Sequence, residues 1–213
     1  MEEQIENAEP DENTKLDWNS ARELAARAVY DGKLSRKEHF ETIESLLESN
    51  TDQDTTLALA AFELFIKGYK DFDNEIDLDM LYELGERIAR HRAKEFAEAV
   101  MNPVLSSRSI PAGWLDRVAD EGSKDLRLAV AIALAGIAKL KSVPVERILG
   151  IAKYLMDEED QEVRRQIASA LVFVNNRNPE IVKSFVADHA EGAGTFRNAL
   201  FGEFKSLIDG TDK

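Results

Sequence analysis

Asp160-Gln161-Glu162-Val163-Arg164-Arg165-Gln166-Ile167-Ala168-Ser169-Ala170-Leu171 opens the stretch whose reading decides the fold, and Asn178-Pro179-Glu180-Ile181-Val182 carries it on to His189. In the first half Val163, Ile167, Ala170, Leu171 and Val174 recur at i, i+4, i+7, i+8 and i+11, one face of a helix. Asn178 then offers a side-chain cap, and Pro179 suits a first helical position, where no amide hydrogen is needed. Val182, Phe185, Val186 and His189 make a second one-sided helix, closed by Gly192. Neither helix can bury its stripe alone, so each needs the other and a neighbouring pair.

Working outward, the same features return upstream. Arg127 and Leu134 stand 37 residues before Arg164 and Leu171, and Asp120-Glu121 stands at that offset from Asp157-Glu158. Pro111, Pro144 and Pro179 are spaced 33 and 35 residues apart, with Leu115, Ile148 and Val182 following each by three or four positions. A period of 33–37 residues carrying two helices predicts an all-α chain, a right-handed α-solenoid of antiparallel helix pairs. The clearest repeats are expected over 95–192 of a single repeat domain at 15–208, with an acidic leader at 1–14, a capping helix at 195–208 and a frayed tail at 209–213.

Composition agrees. The chain has 213 residues, 44% of them hydrophobic and 32% charged, with 5 prolines and 11 glycines placed mostly as helix punctuation. The longest apolar run, Leu128 to Ala138, is too short for a bilayer, which needs about 20 residues, and is expected to be the central core helix. With no cysteine there are no disulfides, thiolate metal sites or cysteine nucleophiles. Together with an acidic N-terminus unlike a secretory signal, this points to a cytoplasmic protein. The net charge of −14 is uneven: residues 1–80 hold 8 Lys/Arg against 21 Asp/Glu, the remainder 19 against 20. Whole-chain acidity disfavours nonspecific nucleic-acid binding, yet the near-neutral part can carry a local basic face.

Taken in order, Ala21, Leu24, Ala25, Ala28 and Val29 predict a helix ended by Gly32. Ser35-Arg36-Lys37-Glu38 reads as a capping box opening a helix with Phe40, Ile43 and Leu47 on its stripe. Asp52 to Asp54 cap the next, carrying Leu57, Ala61, Leu64 and Phe65, and Leu78, Leu81, Leu84 and Ile88 mark another. The alternating acids of Asp71 to Asp79 read as a solvated loop, since a calcium loop would need Gly and Glu where Ile76 and Tyr82 stand. Pro103 is expected to stop the helix begun at Glu95, and Pro111 to Ala119 to form its partner. The last helix, from Thr195 to Ile208, is expected to bury Phe196, Leu200, Phe204 and Leu207.

For chemistry, His39, His91 and His189 are too scattered for a metal pair, and no phosphate-cradling or nucleophile-elbow motif is present, so no cofactor and no metal are expected. Asp157 to Asp160 reads as helix-start charge and capping. The candidate ligand or partner contacts are the basic cluster Arg87, Arg90, Arg92 and Lys94, with Arg127 and Arg164 at equivalent repeat positions. For those two, a structural role is favoured: stacked in successive repeats, they would bind helix ends or loop carboxylates.

Asp160-x-x-Val163-Arg164-Arg165 before an Ala/Leu-rich helix resembles a HEAT repeat. More closely, Val163 to Ala168, Ala170-Leu171, Asn178 to Val182 and Phe196-Arg197-Asn198-Ala199-Leu200 are similar to the AlkD-like DNA alkylation-repeat family, over about Asp120 to Leu207. The resemblance implies a helical repeat fold and, in active members, excision of alkylated bases from duplex DNA by aromatic residues and an Asp in a basic concave cleft. This sequence departs from that pattern. Neither Trp18 nor Trp114 has an Asp four residues later, Ser169 falls where a Trp is usual, and Arg127 is the one functional-type residue that carries over. The reading is therefore a noncatalytic repeat scaffold binding a partner protein, without membrane or metal; the alternative is a DNA-binding protein or DNA glycosylase of the alkylation-repeat kind.

Overall fold

The structure is a computed structural model that describes residues 16–27, 35–49, 51–68, 75–107 and 112–211. Every regular element among them is helical, and the chain divides into two compact units, Met1–Phe65 and Ile66–Lys213.

The first unit holds α1 (Trp18–Ala26), α2 (Arg36–Glu48) and most of α3 (Asp52–Gly68). The Ser35 hydroxyl and the Glu38 carboxylate exchange bonds with each other's amides, the capping box the spacing predicts. At α3 the cap is Thr51, whose hydroxyl accepts the Asp54 amide and donates to its carboxylate, so Asp52 is not the capping residue. Ala21, Ala25, Ile43, Leu47, Ala61 and Phe62 are buried, whereas Leu24 is exposed. His39 is buried with Nε2 3.1 Å from the Ala61 carbonyl, and burial holds its pKa below the ordinary 6.5. Ala28, Val29 and Gly32 lie outside the described residues.

The second unit is built around α7 (Lys124–Ala138), capped by the Ser123 hydroxyl. Leu126, Leu128, Ala129, Val130, Ala131, Leu134 and Ile137 point around its whole circumference and are all buried, as an apolar run of this length requires. The small alanines let neighbours approach closely, and each large aliphatic chain contributes about 1.5–3 kcal/mol on burial. α7 packs on α4 (Glu75–Phe96) and on α9 (Gln161–Asn175), and α9 packs in turn on α11 (Thr195–Thr211). Between these lie α6 (Ala112–Asp120), α8 (Val145–Ala152, continued by a 3-10 turn to Leu155) and α10 (Pro179–Ala190), each against its sequence neighbours. Asn178 caps α10 with Pro179 in the first turn, and Gly192 has φ +70° just past its end, a left-handed position that favours glycine.

Polar ties join elements far apart in the chain. Arg117 reaches Asp79, the Ser123 amide reaches Glu86, Arg197 reaches Asp157, and Arg177 donates to the carbonyls of Ala138, Leu140, Lys141 and Val143 at the end of α7; these span 34 to 40 residues.

Several expectations are corrected. Pro103 does not stop a helix: it is the second residue of α5 (Asn102–Ser107), where no amide is required. α4 is kinked at a non-helical Arg92 (φ −146°, ψ 46°), and a π-helical turn, Ala97–Met101, joins it to α5. Asp77 and Asp79 belong to α4 rather than to a loop, and the rest of the acidic segment before Glu75 lies outside the described residues. On α11 Leu200 and Phe204 are buried, but Phe196 and Leu207 are exposed.

Candidate functional site

The loop Asp157-Glu158-Glu159-Asp160 is held by cations from three helices. Asp160 caps α9, accepting the amides of Glu162 and Val163, and its carboxylate lies 3.0 Å from the Lys124 ammonium. Partial burial pushes its pKa up, but the Lys124 hydrogen bond and the two amides outweigh this and hold it below the usual carboxylate value. Glu158 turns inward and is only 6% exposed. Its two oxygens receive Arg127 Nε at 2.5 Å and Nη2 at 3.3 Å, a forked contact, while Arg127 Nη1 donates to the Gly122 carbonyl. Arg164 Nη1 donates to the carbonyls of Glu158 (3.1 Å) and Glu159 (2.5 Å), and its Nε is 3.6 Å from Glu203. Arg197 pairs with Asp157.

Arg127 and Arg164 thus converge on one loop, binding a carboxylate and carbonyls, a structural role like the one expected of them. Glu158 differs from its reading as helix-start charge. A guanidinium fork facing it makes a buried pair possible where a lone carboxylate would stay in water.

Beside this loop is a cavity of about 400 Å³ whose walls include Asp120, Arg127, Tyr154, Glu158, Glu159 and Phe196. No periodicity marks it, because its walls come from α6, α7, the turn after α8, the loop and the start of α11.

The basic cluster lies elsewhere in the unit, on α4. Arg87 and Arg90, at i and i+3, share one helix face ahead of the non-helical Arg92, and Lys94 follows. Arg90 and Lys94 are exposed and Arg87 half-buried; none of the three has an ion-pair partner among the described residues. Arg92 is 3.6 Å from Glu95. No hydrogen bond or ion pair among the described residues links this cluster to Arg127 or Arg164.

Tyr82 and Glu86, also on α4, are an aromatic and a carboxylate four residues apart, a spacing that neither tryptophan offers. Arg117 lies 3.9 Å over the Tyr82 ring and is fixed by Asp79 at 2.6 Å. Burial raises the Tyr82 pKa, with Glu86 adding to the shift and Arg117 opposing it. Glu86 Oε1 accepts the Ser123 amide at 2.6 Å, at the start of α7. The same spacing occurs at Phe40 and Glu44, Tyr69 and Asp73, and Tyr154 and Glu158, so it does not single out this pair in the sequence.

Among the described residues no group of three or more His, Asp or Glu is placed to hold a metal ion, and no helix is long and apolar enough to cross a membrane. No curated protein and no solved structure matches the chain. A family model described as DNA alkylation repair enzyme matches residues 16–200, taking in α1 through the first turns of α11. By that match, the chain belongs to the DNA alkylation repair enzyme family.

Proposed function

We propose that the chain is a DNA-binding protein acting on duplex DNA with alkylated bases, and that its second unit is a HEAT-like α-solenoid presenting α4 to the phosphate backbone. The observation that carries this is that Arg87, Arg90 and Lys94 along α4 have no ion-pair partner among the described residues. Cations with no internal partner are available to phosphates, and each phosphate neutralised releases counterions. Family membership supports DNA over the partner-protein scaffold. Fluorescence anisotropy with a 20-base-pair duplex tests it across salt concentrations. Replacing all three residues with Gln should lower the slope of log affinity against log salt by about 2 to 3. No binding by the unaltered protein at low salt would overturn the proposal.

A second reading adds base excision, with Tyr82 and Glu86 as the aromatic and the carboxylate. Their spacing favours it; the bond from Ser123 to Glu86 counts against it, because that carboxylate already has a structural partner. Incubation with duplex containing N-methylated purines decides. Free base released by the wild type and not by Glu86→Gln supports excision, and intact duplex in both leaves binding alone.

A further inference from the structure

The cavity at the Asp157–Asp160 loop has a chemistry opposite to that of α4. Its carboxylates divide into two kinds. Glu158 is used up by Arg127, and Asp157 by Arg197. Asp120 and Glu159 are exposed and have no side-chain partner among the described residues. With the single lining cation Arg127 already bound, the free charge facing the cavity is negative. That repels a DNA phosphate and attracts a cation. Two aromatic rings, Tyr154 and Phe196, also line it, and Phe196 at the start of α11 is 42% exposed, an apolar ring left uncovered. A volume near 400 Å³ falls in the range of about 300–1,000 Å³ usual for small-ligand sites.

We infer that this cavity is a docking site for an arginine side chain in a basic segment of a partner protein. Arginine fits both features at once: its planar guanidinium stacks on aromatic faces and offers forked donors to carboxylates. The ammonium of lysine is more strongly hydrated and stacks less well. The cavity's two free carboxylates, Asp120 and Glu159, come from the end of α6 and from the loop before α9, so a forked donor entering the cavity meets carboxylates from two segments. The inference stands on this cavity alone, whether or not α4 binds DNA.

The test is anisotropy of a fluorescein-labelled 12-residue Gly/Arg peptide on the full chain at low salt, with the Gly/Lys peptide alongside. The Arg peptide should bind more tightly than the Lys peptide. Asp120→Asn with Glu159→Gln should weaken it about five- to tenfold, as expected for two exposed charge pairs, and Phe196→Ala should weaken it further. The acidic chain attracts any basic peptide, so Glu23→Gln with Glu48→Gln, exposed acids in the first unit, serves as a variant of equal charge change. Equal loss in both double variants, or equal affinity for the two peptides, would overturn the inference. Circular dichroism checks that each variant folds; all the replaced side chains are exposed.

Discussion

Two groups of arginines in the second unit have opposite fates. Arg127 and Arg164 spend their donors on Glu158, on Gly122 and on the carbonyls of one loop, whereas Arg87 and Arg90 on α4 have no ion-pair partner among the described residues. A basic residue in a sequence is a potential contact. Whether it is available to a ligand depends on what faces it after folding: Arg127 and Arg164 are used internally, while Arg87 and Arg90 have no ion-pair partner among the described residues. Stability and DNA affinity should therefore respond to different arginines.

The largest effect is expected where a buried charge loses its partner. Glu158→Ala would leave Arg127 mostly buried beside a lost carboxylate, a change that costs about 3–5 kcal/mol, and thermal unfolding with a denaturant series measures it. A cost below about 1 kcal/mol would mean that water replaces the carboxylate, and the distinction between used and free arginines would weaken. Leu171→Ala sets the scale for a purely apolar loss in the same unit. Leu171 is fully buried on α9, and truncation should cost about 2–5 kcal/mol according to how far the neighbours collapse. The two losses differ in salt response: added salt leaves the Leu171 cost unchanged and reduces the Glu158 cost, because Arg127 is still partly in contact with water.

What could be read in the sequence follows the same division. Helices with local signals were legible: the capping box at Ser35 and Glu38, Asn178 and Pro179 opening α10, and the all-round apolar run of α7 all occupy their expected places. The structural role expected of Arg127 and Arg164 was legible too, since both side chains bind one loop. Glu158 was not, because its burial depends on a guanidinium 31 residues earlier, and a charged side chain without that partner would stay in water. Phe196 misled for a related reason. Helical spacing assigns a side chain to a face, but only a neighbouring element covers that face, and Leu200 and Phe204 are covered where Phe196 and Leu207 are not. The cavity draws on five separate segments and has no local signature.

Acidification sharpens the comparison on the loop itself. Asp160 has its folded-state pKa below the ordinary 3.8. The unfolded chain therefore takes up its proton first, so the stability Asp160 contributes is present above the unfolded pKa and is lost as pH falls through the folded value. Asp160→Asn keeps an N-cap but removes the charge facing Lys124. The melting temperature of the variant should lie below that of the wild type near pH 6, and the gap should close as pH drops below about 4. A gap that stayed constant would assign the whole effect to cap geometry.

The smallest expected change in stability belongs to α4. Replacing Arg87, Arg90 and Lys94 together with Gln removes three charges, yet among the described residues none takes part in an ion pair whose loss would strand a buried group. Substitutions of this kind away from buried features usually fall within about ±0.5 kcal/mol. Gln is also a good helix former and keeps part of the aliphatic stem that half-buried Arg87 packs along the surface. Unfolding of the triple variant should therefore superimpose on wild type, while its affinity for duplex DNA becomes weaker and less sensitive to salt. A loss above about 1 kcal/mol would show that these side chains, like Arg127, are part of the scaffold. Unchanged stability with unchanged DNA affinity would leave them free but unused, and DNA contacts would then have to be sought on another helix.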